Sequence, residues 1–225
     1  MRFHDQPLRG HSLAEKAYIA IRSMIKSGEL KPNMPLREVA LAESLNISRT
    51  PIRQALHRLE SEELAIFIPR SGLVVAALDR QRVMELYSFL EALESMAARY
   101  MAQYATEEEI AILLDLSRRE EDVLDDAQAL SSLNAKFHTT LYRGARNRYL
   151  LKTVLSIRDQ IFLLGKTTLG NPGRSSQAMK EHRAIVQSIQ ARSPDAAEAA
   201  MRTHIRSAMI ERLKLLEQDE SNEAV

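Results

Sequence analysis

Residues 35–64 read PLREVALAESLNISRTPIRQALHRLESEEL and combine two short amphipathic helices, a tight turn and regularly placed arginines. In the first helix Val39, Ala42 and Leu45 share a face, and in the second Ile52, Leu56 and Leu59 do, at the spacing of a helix with one buried side. The two can pack together as a helical hairpin. Ser48 is placed to N-cap the second helix, and Asn46 suits the turn before it because Asn tolerates a left-handed backbone better than most residues. Arg49, Thr50 and Arg53 then fall on the first turns of the second helix, off its apolar stripe. Those are the turns that a recognition helix presents to the major groove of DNA. Arginine can grip the O6 and N7 edges of guanine through two parallel hydrogen bonds, while the Ser48 and Thr50 hydroxyls and the helix N-terminus suit phosphate oxygens. A generic hairpin with a solvated basic face would show the same periodicity, so the flanks must decide.

Upstream, Leu13, Ala17, Ile21, Met24 and Ile25 define another amphipathic helix ending near Gly28, before the Lys31-Pro32 break. Downstream, residues 65–68 and 73–76 are short apolar runs around Pro69-Arg70-Ser71-Gly72, the pattern of a β-hairpin. Three helices and a two-stranded wing make a winged helix-turn-helix. With Ile-Lys-Ser-Gly-Glu-Leu-Lys-Pro at 25–32, Leu-Arg-Glu at 36–38, Ser-Arg-Thr-Pro-Ile-Arg-Gln-Ala-Leu at 48–56 and Arg-Ser-Gly at 70–72, the stretch from 20 to 75 resembles the DNA-binding domain of GntR-family transcriptional regulators. That resemblance implies DNA contacts by Arg37, Arg49, Arg53 and Gly72, with Arg70 and Ser71 contacting from the wing. Three of the family's usual glycines are replaced here by Asn33, Asn46 and Glu63. Asn can hold a left-handed backbone, whereas Glu does so at a steric cost.

At 225 residues the chain has the length of two domains. A 45% hydrophobic content can build cores, and only seven Gly and seven Pro argue against a large β or low-complexity protein. There are no cysteines, which excludes disulfides and thiolate metal sites. No N-terminal apolar stretch resembles a signal peptide, and no run approaches the ~20 residues of a membrane-spanning helix, so a soluble, cytoplasmic protein without a membrane partner is expected. The net charge of +1 is split unevenly, with 11 Lys plus Arg against 8 Asp plus Glu up to residue 78 and 20 against 22 beyond it. This asymmetry is mild, and the placement of the arginines says more than their sum.

After Leu78 the hydrophobic period becomes wholly helical. Leu86, Leu90, Leu93 and Ala97 mark one helix, and Thr106 with Glu109 forms the capping box of the next. Further helices are expected over 126–144, 148–166, 176–191 and 194–217, with a break at Gly170-Asn171-Pro172-Gly173 and Ser193-Pro194 opening the last. The expected fold is mostly α: a winged helix-turn-helix with a small β wing over 1–78, an antiparallel all-α helical bundle for effector binding and dimerisation over 79–218, and a flexible tail over 219–225.

Three histidines stand out in the bundle. Asn134 and His138 share a helical face with Leu141 and Tyr142, His182 lies with Ile185, Val186 and Ile189, and His204 with Ala197, Ala200, Met201 and Ala208. A lone histidine on an apolar face is usually a satisfied core residue. Three on three helices call for a common explanation, because each unpaired buried imidazole costs roughly 1 to 3 kcal/mol. A divalent ion supplies one: neutral imidazoles suit Zn, Ni, Mn or Fe, with the Asn134 amide oxygen on one side and positions left open. Its occupancy should fall below the ordinary histidine pKa of ~6.5. Phe89, Phe137, Phe162 and the methionines read as core filler.

Residues 133–151 (LNAKFHTTLYRGARNRYLL), Glu181-His182-Arg183-Ala184-Ile185 and Met201-Arg202-Thr203-His204 resemble the effector-binding domain of the FadR subfamily, of the metal-containing FCD type. In that pattern an Asp commonly stands where Asn134 is, so a weaker or altered metal preference is implied. Many relatives also carry an arginine in the first bundle helix that takes a carboxylate effector, whereas the matching stretch here is Ser88-Phe89-Leu90-Glu91. Arg158 is the candidate substitute. Together these features describe a ligand-responsive regulator, a repressor by the commoner sign, acting as a homodimer on a palindromic double-stranded DNA operator under control of an organic-acid effector. The alternatives are the same regulator with a structural metal or none, and, remotely, a metallohydrolase whose histidines activate water. No nucleophile or general base accompanies the histidines at a recognisable spacing, so no enzyme is expected.

Overall fold

The computed structural model describes residues 12–165, 167–171 and 173–223, with side chains described as far as residue 218. Pro172 of the expected break, Lys166 at the expected end of one helix, and the last two residues of the expected tail lie outside that description. Residues 1–11 of the expected head also lie outside it, and the described residues form two compact units, 12–78 with 159–165, and 79–158 with those from 167 onward.

The first unit holds α1 (Leu13–Ser27), α2 (Glu38–Leu45), α3 (Arg49–Ser61), β1 (Ala65–Ile68) and β2 (Gly72–Val75). Ser12 caps α1 by accepting from the Glu15 amide at 3.2 Å, and Gly28 ends it at φ 79°, a left-handed cap open to glycine without steric cost. Ala17, Tyr18, Ile21 and Ile25 of α1 meet Ile52, Ala55, Leu56 and Leu59 of α3 in one apolar cluster that also takes in Leu41, Leu64 and Val75. Truncating Ile21 or Leu59, both fully buried, would cost about 2–5 kcal/mol. The hairpin pairs Ala65 with Val75 and Ile68 with Gly72, and Pro35 bridges to Val74, so the segment entering α2 is fastened to the wing.

One detail of the hairpin face differs from the periodicity. Leu41 is the buried residue of α2, flanked by half-buried Ala42 and Leu45, while Val39 is 44% exposed. A helix of eight residues fixes its own face poorly, and here packing centred on Leu41 decides it. Asn33, Asn46 and Glu63 all take left-handed conformations, at φ 66°, 52° and 58°. The positions thus keep the backbone a glycine would favour, and Glu63 carries the steric cost of doing so.

The second unit has no strand among its described residues and contains α4 (Arg80–Tyr104), α5 (Glu107–Arg119), α6 (Ala127–Gly144), α7 (Arg148–Asp159, its last residue counted with the first unit), α8 (Arg174–Gln190) and α9 (Pro194–Glu223). The capping box at α5 forms in both directions, Thr106 accepting from the Glu109 amide at 3.2 Å and Glu109 from the Thr106 amide at 2.9 Å. Asp126 caps α6 by accepting from the Gln128 and Ala129 amides, without a reciprocal bond. The long helices α4 and α9 pack along each other, with Leu90, Ala97 and Met101 buried on one and Ala197 and Met201 on the other. α4 and α6 approach closely at Gly144, where a Cβ would lie 2.9 Å from the Met101 sulfur. Three boundaries depart from the periodicity. The helix expected over 148–166 gives way after Asp159 to a 3-10 turn, Gln160–Leu164; α8 begins at Arg174 after left-handed Gly173; and α9 runs on to Glu223, past the expected start of fraying. Phe89 is 47% exposed, so only Phe137 among the three phenylalanines is fully core. Among the described residues no helix is long and apolar enough to cross a membrane.

Candidate nucleic-acid interface and candidate metal centre

The expected DNA-facing residues all lie on the first unit. Ser48 is the N-cap residue of α3, its hydroxyl making no capping bond, and Arg49, Thr50 and Arg53 occupy the first two turns with exposed side chains. Arg37 is the exposed N-cap of α2. Arg70 and Ser71 are exposed in the wing turn, Arg70 at φ 72°, and Gly72 opens β2 at φ 81°. Arg53 is not free in solvent: its Nε donates to Glu38 Oε1 and its Nη2 to Glu38 Oε2, both at 2.9 Å. The Glu38 carboxyl is held below its usual range by this pairing.

In the second unit α6, α8 and α9 bring His138, His182 and His204 together, all buried, each with a ring nitrogen within 4.8 Å of the others. Every one has a glutamate behind it. His182 Nδ1 lies 2.7 Å from Glu120 Oε1, and His204 Nδ1 lies 2.8 Å from Glu181 Oε2. His138 Nδ1 is 2.7 Å from Glu94 Oε2, an ion-pair distance but off the line of a directed hydrogen bond. Glu94 in turn accepts from Arg158 Nη1 at 3.0 Å, and Glu181 from Arg174 Nη1 at 2.9 Å and Gln177 Nε2 at 3.1 Å. Phe137 stacks on the His182 ring with centroids 4.1 Å apart.

This arrangement favours one tautomer at two of the three rings. An ionised carboxylate can only accept, so the N–H of His182 and of His204 belongs on Nδ1, leaving Nε2 as a lone pair. The His204 and His138 Nε2 atoms face each other at 3.3 Å, and the buried His182 Nε2 has no partner in the protein. With its N–H on Nε2, His138 donates to His204 Nε2; with its N–H on Nδ1, toward Glu94, three lone pairs converge, which is unfavourable unless a cation lies among them. A proton does not fill that role near neutrality, because burial pushes the His138 imidazole down to about 3 and the His204 imidazole down to about 4. Burial alone would raise the Glu94 carboxyl, yet Arg158, His138 and Tyr142 together outweigh it and hold the group at about 2. Glu181 is likewise held at about 2, by His204 and Arg174 against its own burial. Neutral imidazoles backed by carboxylates are a donor set that suits a divalent metal. Asn134 sits half-buried one turn before His138.

Residues 13–75 match the bacterial regulatory proteins of the gntR family, and residues 85–207, more than half the chain, match the FCD domain. The chain is a GntR-family transcriptional regulator with an FCD domain. Over 191 residues, covering 83% of this chain and 85% of the relative, it is 29% identical to the HTH-type transcriptional regulator YdhC of Bacillus subtilis (strain 168). It is 36% identical over 139 residues to the Nta operon transcriptional regulator of Aminobacter aminovorans, covering 61% of this chain and 66% of that one. Its fold is like that of Escherichia coli McbR/YncC, with a TM-score of 0.73 at 20% identity over 93% of this chain and 99% of that one. The metal-free FCD domain of TM0439 also superimposes, with a TM-score of 0.52 at 20% identity over 64% of this chain and 99% of that one. The family is one of regulators rather than enzymes, its winged head binds DNA, and its FCD domain serves a small-molecule effector.

Sequence reasoning on this GntR-family chain found the three histidines and missed what stands behind them. Glu94 carried a readable signal, since it falls on the buried stripe of Leu90, Ala97, Ala98 and Met101 at helical spacing. Glu181 directly precedes His182, within a motif already singled out. Glu120 also continues a buried stripe, after Leu113, Leu116 and Ser117 of α5, but the charged run Arg118-Arg119-Glu120-Glu121-Asp122 masks it; it is 1% exposed. Arg158 is placed in the wall of the site, its Nη1 donating to Tyr142 Oη at 2.6 Å as well as to Glu94. The Ser88-Phe89-Leu90-Glu91 stretch presents Glu91 to Arg202 and Arg206 of α9.

Proposed function

We propose that this protein is a metal-containing regulator of the FadR subfamily, a homodimer and most simply a repressor, that binds a palindromic operator through Arg37, Ser48, Arg49, Thr50, Arg53, Arg70, Ser71 and Gly72. One head buries too little surface to select a site among a genome's competitors, so two are needed. The observation that carries the metal reading is the convergence of the His138, His182 and His204 ring nitrogens, with the buried His182 Nε2 left without a protein partner. These residues would hold a divalent ion, with the half-buried Asn134 amide as a candidate further donor. The ion would supply a Lewis-acidic anchor for an oxygen of an organic-acid effector. Glu94, Glu120 and Glu181 orient the rings, and Arg158 and Arg174 hold Glu94 and Glu181 ionised. Arg158 spends only its Nη1 on Glu94 and Tyr142, so its Nε and Nη2 groups remain the candidate contact for an effector carboxylate. Effector and DNA then act on each other reciprocally: whatever factor the effector imposes on operator affinity, DNA imposes on effector affinity.

Tag-free protein, analysed for metal and then screened by thermal shift against small organic acids before and after chelation, tests this reading. It predicts about one ion per chain and ligand shifts that vanish on chelation. Ligand shifts that survive complete metal removal would favour the alternative of a structural ion, and sedimentation as a monomer at micromolar concentration with and without operator would refute the dimer.

A further inference from the structure

The Glu38–Arg53 pair lies in the middle of the proposed DNA-reading face and uses only part of the arginine. A guanidinium has two hydrogen-bonding edges that offer parallel N–H groups, one formed by Nε and Nη2 and one by Nη1 and Nη2. Glu38 takes the first edge with both of its oxygens, at 2.9 Å each. The second edge is left to point elsewhere, and the Arg53 side chain is 61% exposed. Glu38 itself is well anchored for this task. It is the first residue of α2, where the helix dipole favours a carboxylate, and its backbone is fixed by Pro35 and Leu36, which join the wing.

We propose that Glu38 is a positioning residue for specificity: by occupying the Nε edge of Arg53 it locks the guanidinium to present its Nη1/Nη2 edge end-on to one guanine. A free arginine samples many rotamers and can turn to any nearby phosphate, which adds affinity without sequence information. An arginine braced on one edge loses that freedom before DNA arrives, so the bidentate contact with O6 and N7 costs less ordering while the phosphate contacts become less accessible. The carboxylate also repels the DNA backbone, which lowers non-specific binding on every sequence. Glu38 therefore acts by narrowing what Arg53 can touch. The inference rests on α3 being the recognition helix.

The probe is a duplex obtained by selection from a random library with the wild-type protein, set against a scrambled duplex of the same length at matched salt. Wild type, Glu38→Gln, Arg53→Ala and the double variant are compared, with melting of each recorded to show that the exposed substitutions leave the head folded. Glu38→Gln is expected to bind scrambled DNA as well as or better than wild type. It should also lower the selected-to-scrambled ratio by about fivefold or more and flatten the preference at a single base-pair step when selection is repeated. Arg53→Ala should erase the preference at that same step, and in its background Glu38→Gln should change nothing further at the step. If Arg53→Ala leaves the selected sequence unaltered, the recognition-helix reading itself fails. If Arg53→Ala erases the step but Glu38→Gln leaves the ratio and the step intact, or tightens selected and scrambled DNA equally, Glu38 is a structural or competing partner and the proposal is overturned.

Discussion

The winged head and the helical bundle treat their charged groups in opposite ways. In the head, Arg49, Arg53 and Arg70 are exposed, and the Glu38–Arg53 pair lies in solvent, where its partners can be exchanged for DNA. In the bundle, Glu94, Glu120, Glu181 and the three histidines are nearly sealed from water, and each histidine is backed by one of the glutamates. A surface meant to meet a polyanion keeps its cations hydrated until contact. A site meant to hold an ion has its ligands ordered beforehand, because a buried carboxylate or imidazole without a partner is costly.

The largest expected effect lies in the bundle. His182→Ala with His204→Ala removes two of three converging nitrogens, and metal content measured on tag-free protein should fall from about one ion per chain to none, while the head keeps its DNA affinity because its core is its own. Full metal content in that variant would break the comparison at its root. Next in size, Glu120→Gln leaves the ligand in place but replaces the acceptor-only carboxylate by an uncharged amide that can turn its NH2 to the ring and so no longer fixes the His182 tautomer, and competition with a chelator should show affinity lowered by about 10- to 100-fold. An unchanged affinity would mean that the carboxylate is a passive filler. In the head, Arg49→Ala should weaken binding to a selected duplex by about five- to 100-fold at fixed salt; equal losses on scrambled DNA would reassign it from base reading to phosphate contact.

Acid distinguishes the regions too. The His138 and His204 imidazoles, at about 3 and 4 when folded, ordinarily titrate near 6.5. Between those values the unfolded chain binds protons that the folded chain refuses, so the ion-free bundle should lose stability as pH falls from about 6.5 and hold it above that pH. Glu94 and Glu181, lowered to about 2, add a further loss as pH drops below their ordinary 4.5 toward 2. Melting followed across pH 7 to 4 should show this slope in metal-free protein, and a flat profile would contradict the burial argument. By the same sign, His138 and His204 remain neutral well below pH 6.5, so the ion should persist to lower pH than ordinary histidines would allow.

The smallest effect concerns backbone. Glu63→Gly should raise the melting temperature of the head, since Glu63 sits at φ 58° and a left-handed non-glycine residue costs roughly 1 kcal/mol, whereas Asn46→Gly at φ 52° should change little.

Much of this was legible along the chain, and the reason is local. Gly28, Asn46, Ser48, Thr106 and Asp126 mark element ends through their own backbone or side-chain chemistry, and the arginines of α3 are on display because helical periodicity alone puts them off the apolar stripe. The bundle was legible only up to the inward histidines. Which carboxylate meets which ring depends on tertiary packing: Glu120 and His182 are 62 residues apart, and Glu120 sits among charges that read as surface. Val39 and the end of α7 were misjudged for a related reason, since a two-turn helix and a 3-10 turn have too few residues for periodicity to outvote packing.

The most direct test of the central claim is anomalous diffraction from crystals of tag-free protein grown without added metal, measured at the absorption edges of zinc, nickel, iron and manganese. The account predicts a single anomalous peak within about 2.0–2.2 Å of the Nε2 atoms of His138, His182 and His204. No peak at any edge, with the three rings turned apart and their Nε2 atoms bonded to protein groups or water, would contradict it.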